Sequence, residues 1–506
     1  MRPATSTRVL FIGSIALALT LAACGGGGGG GTGPVPGGGN GGGGPTATPT
    51  PVGTGSPKAT PTPTATPVHT ATPAPTATPV STPTPTTAPQ SITMLPDTTG
   101  RFGLTQILDN YGGEPALTTA QIQSEAPHYD SVWGTFSPTT WSSAPGAESG
   151  MVLSRYVLDS EDMNLISGHD LSWWQANHPD WIFYTCDSSG NPTHYLAWDE
   201  GYFTNDVPLA YWMPQVQQYE QNLWISYLQQ NHYTALAADN MNLTNYTVAG
   251  NPNNSGAATP PSGASTYFGC GTYDTSGNFV RRYSSRSDST YTSDTITWAA
   301  NMANALHSNG LKLLINHPVN NAPTDPNEQS LLSHVDGMVD ENGYTHYGTL
   351  LTNSSFDNTL QWVEYTQAHN IAVLVTDYFC TGSGCSNDPS TLTQAQVDWA
   401  LATYALGNNG GEDVYISPHG GSNYSYRNEY NTRYGAACGA YASPASYVYV
   451  RKFQGGLAVA NASGSSYALT LPSGHTYTDI EGRAVSNPLT VNPSDGYFLL
   501  TSNGCS

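Results

Sequence analysis

The residues best suited to chemistry in this chain are acids that end short apolar runs. Tyr233 to Leu243 reads YTALAADNMNL, small and apolar until it breaks off into Asp239, Asn240 and Asn242. Val335 to Tyr344 (VDGMVDENGY) repeats the shape, with Glu341-Asn342 in the place of Asp239-Asn240. Ile371 to Phe379 (IAVLVTDYF) repeats it again and ends in Asp377. Glycosidic bond cleavage commonly uses two carboxyl groups, one donating a proton and one attacking the sugar or activating water. Asp239 is the candidate nucleophile. Glu341 is the candidate acid/base, because a half-buried Glu is readily raised in pKa, as an acid catalyst requires. Asp377 is the second choice for acid/base, or a ligand for a sugar hydroxyl. An acid at a strand end can also do no more than cap the following turn. The recurrence of Asp-Asn and Glu-Asn endings argues against that reading for all three.

Elements that could position these acids alternate along the chain. Candidate strands are 102–107, 131–136, 150–157, 181–186, 234–238, 312–315, 337–339, 372–376 and 414–417, nine in all. Candidate helices are 214–229, 293–308 with Ser293 as N-cap, 356–369 and 394–406. Val216, Tyr219, Leu223 and Tyr227 fall on one face of the first of these. Each helix feeds a short polar turn and then an apolar strand, as in SNGLKLLIN and AHNIAVLVT. That rhythm predicts an α/β fold, a (β/α)8 TIM barrel with long insertions. A doubly wound sheet would bring a Gly-rich dinucleotide turn, and there is none. Asp239 then ends the fourth barrel strand, Asn316-His317 the fifth, Glu341 the sixth and Asp377 the seventh, with His419 at the eighth. From Tyr447 onward short alternating strands predict a small antiparallel β-sandwich. The expected domains are a signal peptide at 1–24, a tether at 25–90, a barrel at 91–445 and the sandwich at 446–506.

Composition sets the compartment and excludes some partners. Of 506 residues only 10% are charged, and the net charge is −22. Residues 1–90 hold three basic side chains and no acidic ones, so 11 of the 14 basic residues and all 36 acidic ones belong to the rest. Such a domain repels nucleic acid and anionic headgroups; neutral or cationic substrates fit it better. Arg2 and Arg8, an apolar run from Val9 to Leu21 and then Leu21-Ala22-Ala23-Cys24 read as an export signal with a lipobox. Cys24 is the candidate lipidation site, and an extracellular, membrane-anchored lipoprotein is expected. Gly, Thr and Pro repeats from 25 to 90 have too few apolar residues to fold and read as a flexible tether. The six other cysteines suit disulfides, with Cys380–Cys385 and Cys438–Cys505 the favoured pairs.

Side chains at the other strand ends complete the candidate site. Asp109, Trp133, Asn240, Asn316, His317, Tyr344, Asp377 and His419 are the candidate substrate-binding residues. Aromatic rings there, and at Trp141, Trp173, Trp174, Trp181 and Tyr378, could stack on sugar faces or simply pack the core. The histidines lack paired spacing, so no metal is expected and no cofactor. No GxSxG elbow is present. A single chain acting alone, without nucleic acid, is expected.

HPDWIFY followed by SSGNP, PLAYWMPQVQQYEQNLW, ALAADN, VDGMVDEN, LVTDYF, GLAVANAS and GYFLL occur in that order. In this the chain resembles the hypothetical TIM-barrel glycoside hydrolase families of bacterial secreted proteins, over residues 98 to 502. It departs from their common Gly-Phe-Asp-Gly start to the fourth strand, having Tyr233-Thr234-Ala235. The resemblance implies a two-carboxylate hydrolase of an extracellular polysaccharide or glycan, with Asp239 as nucleophile and Glu341 as proton donor. A retaining course is expected if the pair is close, an inverting one if it is wide. The alternative is a non-catalytic carbohydrate-binding lipoprotein on the same scaffold.

Overall fold

The computed structural model describes residues 96–505, apart from 108–116, 159, 199–205, 251–265, 319–321, 342, 347, 378, 380–391, 409–411 and 416–425. Eight parallel strands follow one another around a sheet in chain order. They are β1 (Thr105–Ile107), β2 (Ser131–Trp133), β3 (Val152–Leu158), β4 (Ala235–Asp239), β5 (Lys312–Asn316), β6 (Gly337–Asp340), β7 (Ala372–Thr376) and β8 (Glu412–Tyr415). The first and last strands come side by side, so the sheet is a nearly closed barrel. The expected (β/α)8 architecture is present.

Alternation along each strand divides the side chains between two cores. Ile107, Trp133, Val152, Tyr156, Leu158, Ala235, Ala237, Leu314, Val339, Ala372 and Leu374 form the cluster inside the barrel. The alanines of β4 share this cluster with the bulky Trp133 and Tyr156, small side chains beside large ones as a narrow barrel interior requires. Their neighbours Leu236, Ala238, Leu313, Ile315, Met338, Val373 and Val375 point outward into the larger cluster under the helices.

The helices that lead into β4 to β8 are α1 (Pro214–Gln230), α2 (Ser289–His307), α3 (Pro326–Leu332), α4 (Asn353–Ala368) and α5 (Gln394–Gly407). Helix α2 starts a turn before the expected Ser293. Asp288 caps it, accepting from the Thr290 amide at 2.9 Å, and Ser293 instead donates back to the Ser289 carbonyl at 3.0 Å. Helix α4 also starts early, because the Asn353 amide donates to the Ala462 carbonyl at 2.7 Å. That partner is 109 residues downstream by number, so no local pattern announces it.

One of the nine expected strands is not in the barrel. Tyr184–Cys186 sits at the centre of a five-stranded antiparallel sheet, in the order 279–281, 268–273, 184–186, 192–198 and 248–250. The β3–β4 and β4–β5 connections both supply strands to it, and the Cys186–Cys270 disulfide joins them. With that strand removed, the eight that remain are the barrel, and Asp239 ends the fourth as expected.

The C-terminal part is antiparallel. Strands β9 (Ala442–Ala445), β10 (Val448–Phe453), β11 (Gly456–Asn461) and β12 (Asp495–Leu500) pair in that order, and 467–469 pairs with 489–491. Leu457, Val459 and Leu499 of the sheet pack with Leu469, Leu489 and Val491 of the ribbon. The sheet's other face lies on α5, which is buried from Val397 to Gly407. A Cβ at Gly496 would come within 2.9 Å of the Trp399 Cα, so glycine is what lets strand and helix approach. The Cys438–Cys505 disulfide is present; the Cys380–Cys385 pair lies outside the described residues.

Candidate active site

The inward phase of β4, β5 and β6 brings the two leading acids together. Asp239 follows Ala235 and Ala237 on the barrel-interior side, Asn316 follows Leu314, and Glu341 follows Val339. The Asn316 amide nitrogen donates to Asp239 Oδ1 at 2.7 Å and to Glu341 Oε2 at 2.9 Å. Because the two N–H bonds of a planar amide diverge by about 120°, these oxygens lie roughly 5 Å apart. Asp239 also accepts a hydrogen bond at Oδ2 from the Tyr156 hydroxyl. Asp239 is 9% exposed and Glu341 half-buried, so both sit at the floor of the barrel mouth.

The backbone around the pair is fixed from behind. Asn240 takes the left-handed conformation (φ 59°) that Asn tolerates, and this turns the chain sharply after β4. The Met241 amide then donates to the Asn316 carbonyl at 3.0 Å, and the His317 amide to the Val339 carbonyl at 3.3 Å. His317 donates through Nδ1 to the Met241 carbonyl at 2.7 Å and through Nε2 to Glu328 on α3. Burial opposes charge on this imidazole. The bond and charge of Glu328, with help from the Met241 carbonyl and Asp340, outweigh it and raise the pKa. His317 is a buried strut tying the ends of β4 and β5 to α3. His317→Ala would leave Glu328, with a side chain only 2% exposed, as a charge without this partner. The expected loss is about 3–5 kcal/mol in denaturant titration.

Asp377 falls one residue out of phase with Leu374 and Thr376, and it is fully buried. It accepts the Tyr344 amide at 2.7 Å, which anchors the turn that carries Glu341. That turn needs Gly343, at φ 51°, where a Cβ would come within 2.5 Å of Asp377 Oδ1. Burial, with the neighbouring charge of Asp340, pushes the Asp377 carboxyl up to about 7 against the Tyr344 bond. The folded protein therefore keeps a proton that the unfolded chain releases near pH 4, and this stabilisation fades as pH rises to about 7. Asp377→Asn is expected to match wild type in stability near pH 4. It should then gain on wild type by at most about 1.4 kcal/mol per pH unit up to neutrality, as measured by melts across that range.

The other expected residues separate into three groups. Asn240 and Asn316 stand at the mouth with the acids. Trp133 (2% exposed) meets Tyr156 edge-on inside the barrel, and Tyr344 (0% exposed) packs against Phe356 in the outer core. Asp109, His419 and Cys24 lie outside the described residues. Tyr156 and Glu328 are additions that strand-end reasoning did not reach; in VLSRYVL, Tyr156 shares its phase with Val152 and Leu158, the only signal available. Among the described residues no three metal-ligating side chains cluster, and no helix is long and apolar enough to cross a membrane.

No protein-family model matches this chain, and no curated protein matches it. Solved structures that share part of the chain's path include the following glycoside hydrolases. A maltogenic alpha-amylase from Thermotoga neapolitana is 9% identical, with 79% of this chain and 98% of that one covered, at a TM-score of 0.41. An alpha-amylase from Malbranchea cinnamomea is 10% identical over 79% and 96% of the two chains, at 0.40. An alpha-galactosidase from Geobacillus stearothermophilus is 12% identical over 80% and 56%, at 0.38. Likeness at this level stops at the path of the chain and assigns no activity.

Proposed function

We propose that this protein is a glycoside hydrolase acting on an extracellular polysaccharide or glycan, with Asp239 as nucleophile and Glu341 as acid/base. The observation that carries this reading is the single Asn316 amide shared between the two carboxylates. Their separation of roughly 5 Å supports a retaining course, for which the usual spacing is about 5–5.5 Å. Asp239, held by Asn316 and Tyr156 on its two oxygens, is oriented to attack the anomeric carbon as an anion. Glu341 protonates the departing glycosidic oxygen as that bond breaks. It then takes a proton from the water that releases the sugar from Asp239, restoring both groups. Sugar release from a polysaccharide panel tests the reading with wild type, Asp239→Asn and Glu341→Gln. Release by wild type alone is expected. Equal release by all three would remove this site, and retention on polysaccharide beads without release would favour the binding protein instead.

The lipobox around Cys24 supports a surface anchor for this hydrolase, with residues 25–90 as its tether. Cys24→Ser is expected to shift the protein from the membrane fraction to the soluble one. An unchanged distribution would remove the anchor.

A further inference from the structure

We propose, resting on the hydrolase reading, that Thr376 is a positioning residue for the acid/base: its hydroxyl donates a hydrogen bond to the Glu341 carboxylate that forms when the leaving group takes the proton. Thr376 ends β7 in the phase of Ala372 and Leu374, whose side chains fill the barrel interior, so its own side chain points into the mouth. It is 0% exposed, and among the described residues nothing pairs with its hydroxyl oxygen. Hydroxyls of the same inward phase on β1, β2 and β3 are satisfied. Thr105 and Ser131 bond to each other, and Ser154 donates to the Val132 carbonyl at 3.1 Å while accepting the Gly134 amide at 3.2 Å. A buried hydroxyl without a partner costs free energy that the similarly shaped valine would not. Such a group is explained when it finds its partner at another stage of the reaction.

Glu341 is the acid beside it. Strands β6 and β7 pair Val339 with Leu374 and Asp340 with Val375, so the next rung sets Glu341 against Thr376. The turn after Glu341 is locked to the same strand end. The Tyr344 amide donates to Asp377, and a Cβ at Gly343 would come within 2.7 Å of the Thr376 carbonyl oxygen. The two acids then have parallel settings. Asp239 on β4 is held from β5 by Asn316 and from β3 by Tyr156. Glu341 is held from β5 by the same Asn316, and the strand on its other flank presents Thr376. A nucleophile that waits as an anion keeps both donors engaged. An acid/base that alternates between acid and anion suits a second donor that engages only when the charge appears.

In the first step the Glu341 proton passes to the glycosidic oxygen as its bond to the anomeric carbon breaks and Asp239 bonds to that carbon. The Thr376 O–H turns to the carboxylate left behind, and no proton leaves Thr376. In the second step Glu341 takes a proton from the attacking water, and the hydroxyl is released. Hydrogen bonds to an ionised acceptor are the stronger kind. Thr376 therefore makes Glu341 a stronger acid where the leaving group needs a proton, and matters little where it departs unaided.

The test uses phenyl and 2,4-dinitrophenyl glycosides of the sugar or oligosaccharide released in the polysaccharide panel. Thr376→Val is expected to lower kcat/KM on the phenyl glycoside by about tenfold or more, and on the dinitrophenyl glycoside by less than about twofold. Thr376→Ser should restore most of the loss, and the valine variant should melt no lower than wild type. Thr376→Ala, a second hydroxyl-free variant, should show the same dependence on the leaving group should valine not fold. Equal losses on both glycosides, wild-type rates in the hydroxyl-free variants, or no rescue by serine would overturn the role of Thr376 and leave the hydrolase standing. A wild-type protein that releases no sugar from any polysaccharide or aryl glycoside would overturn the hydrolase reading, and this proposal with it.

Discussion

Asp239→Asn is expected to lower kcat by at least about 10⁴-fold, since no other described side chain is placed to replace the nucleophile. The substitution keeps the shape of the side chain, and Asn316 and Tyr156 can reorganise around an amide. Thermal stability should therefore change little, which separates a chemical defect from a folding one. Added azide should restore part of the rate on an aryl glycoside, giving a glycosyl azide of inverted configuration, because the small anion enters where the carboxylate stood. Loss of folding in place of activity would show Asp239 to be structural.

Glu341→Ala is expected to give a different signature. On an aryl glycoside whose leaving group departs without protonation, the first step should survive. Release of the sugar from Asp239 should slow by about 10²–10⁴-fold, the usual contribution of a positioned acid/base. Azide should accelerate that release and yield a glycosyl azide of retained configuration, opposite to the Asp239 product. On the natural glycan, whose leaving group needs a proton, both steps should slow. Identical azide products from the two variants would contradict the assignment of separate roles.

Much of the barrel was legible in the chain because its strands are buried on both sides and read as short apolar runs bounded by polar turns. The acids that interrupt ALAAD and GMVDE stood out for the same reason: a carboxylate ending such a run is costly unless something uses it. The same property hid Tyr156. Inside a barrel both faces of a strand are apolar, so SRYVL gives no alternation to show which residues enter the mouth. The run IFYTC is as apolar as a barrel strand, and only its antiparallel partners from 192–198 and 268–273 place it in the insertion. The early start of α4 rests on Ala462, a contact no local window contains. The charged partner of His317 could not be read either. Glu328 looks like an ordinary first-turn acid of a short helix until the fold buries it.

Covalent trapping bears most directly on the central claim, that Asp239 and Glu341 form one reacting pair at the barrel mouth. A panel of glycosyl epoxides and 2-deoxy-2-fluoroglycosides, followed by peptide mass spectrometry, locates the residue that bonds to the anomeric carbon. The geometry predicts a single adduct on the peptide containing Asp239, absent from Asp239→Asn and accumulating in Glu341→Ala. A stable adduct on Glu341, on Asp377 or on any residue away from β4, in protein that hydrolyses glycans, would contradict it.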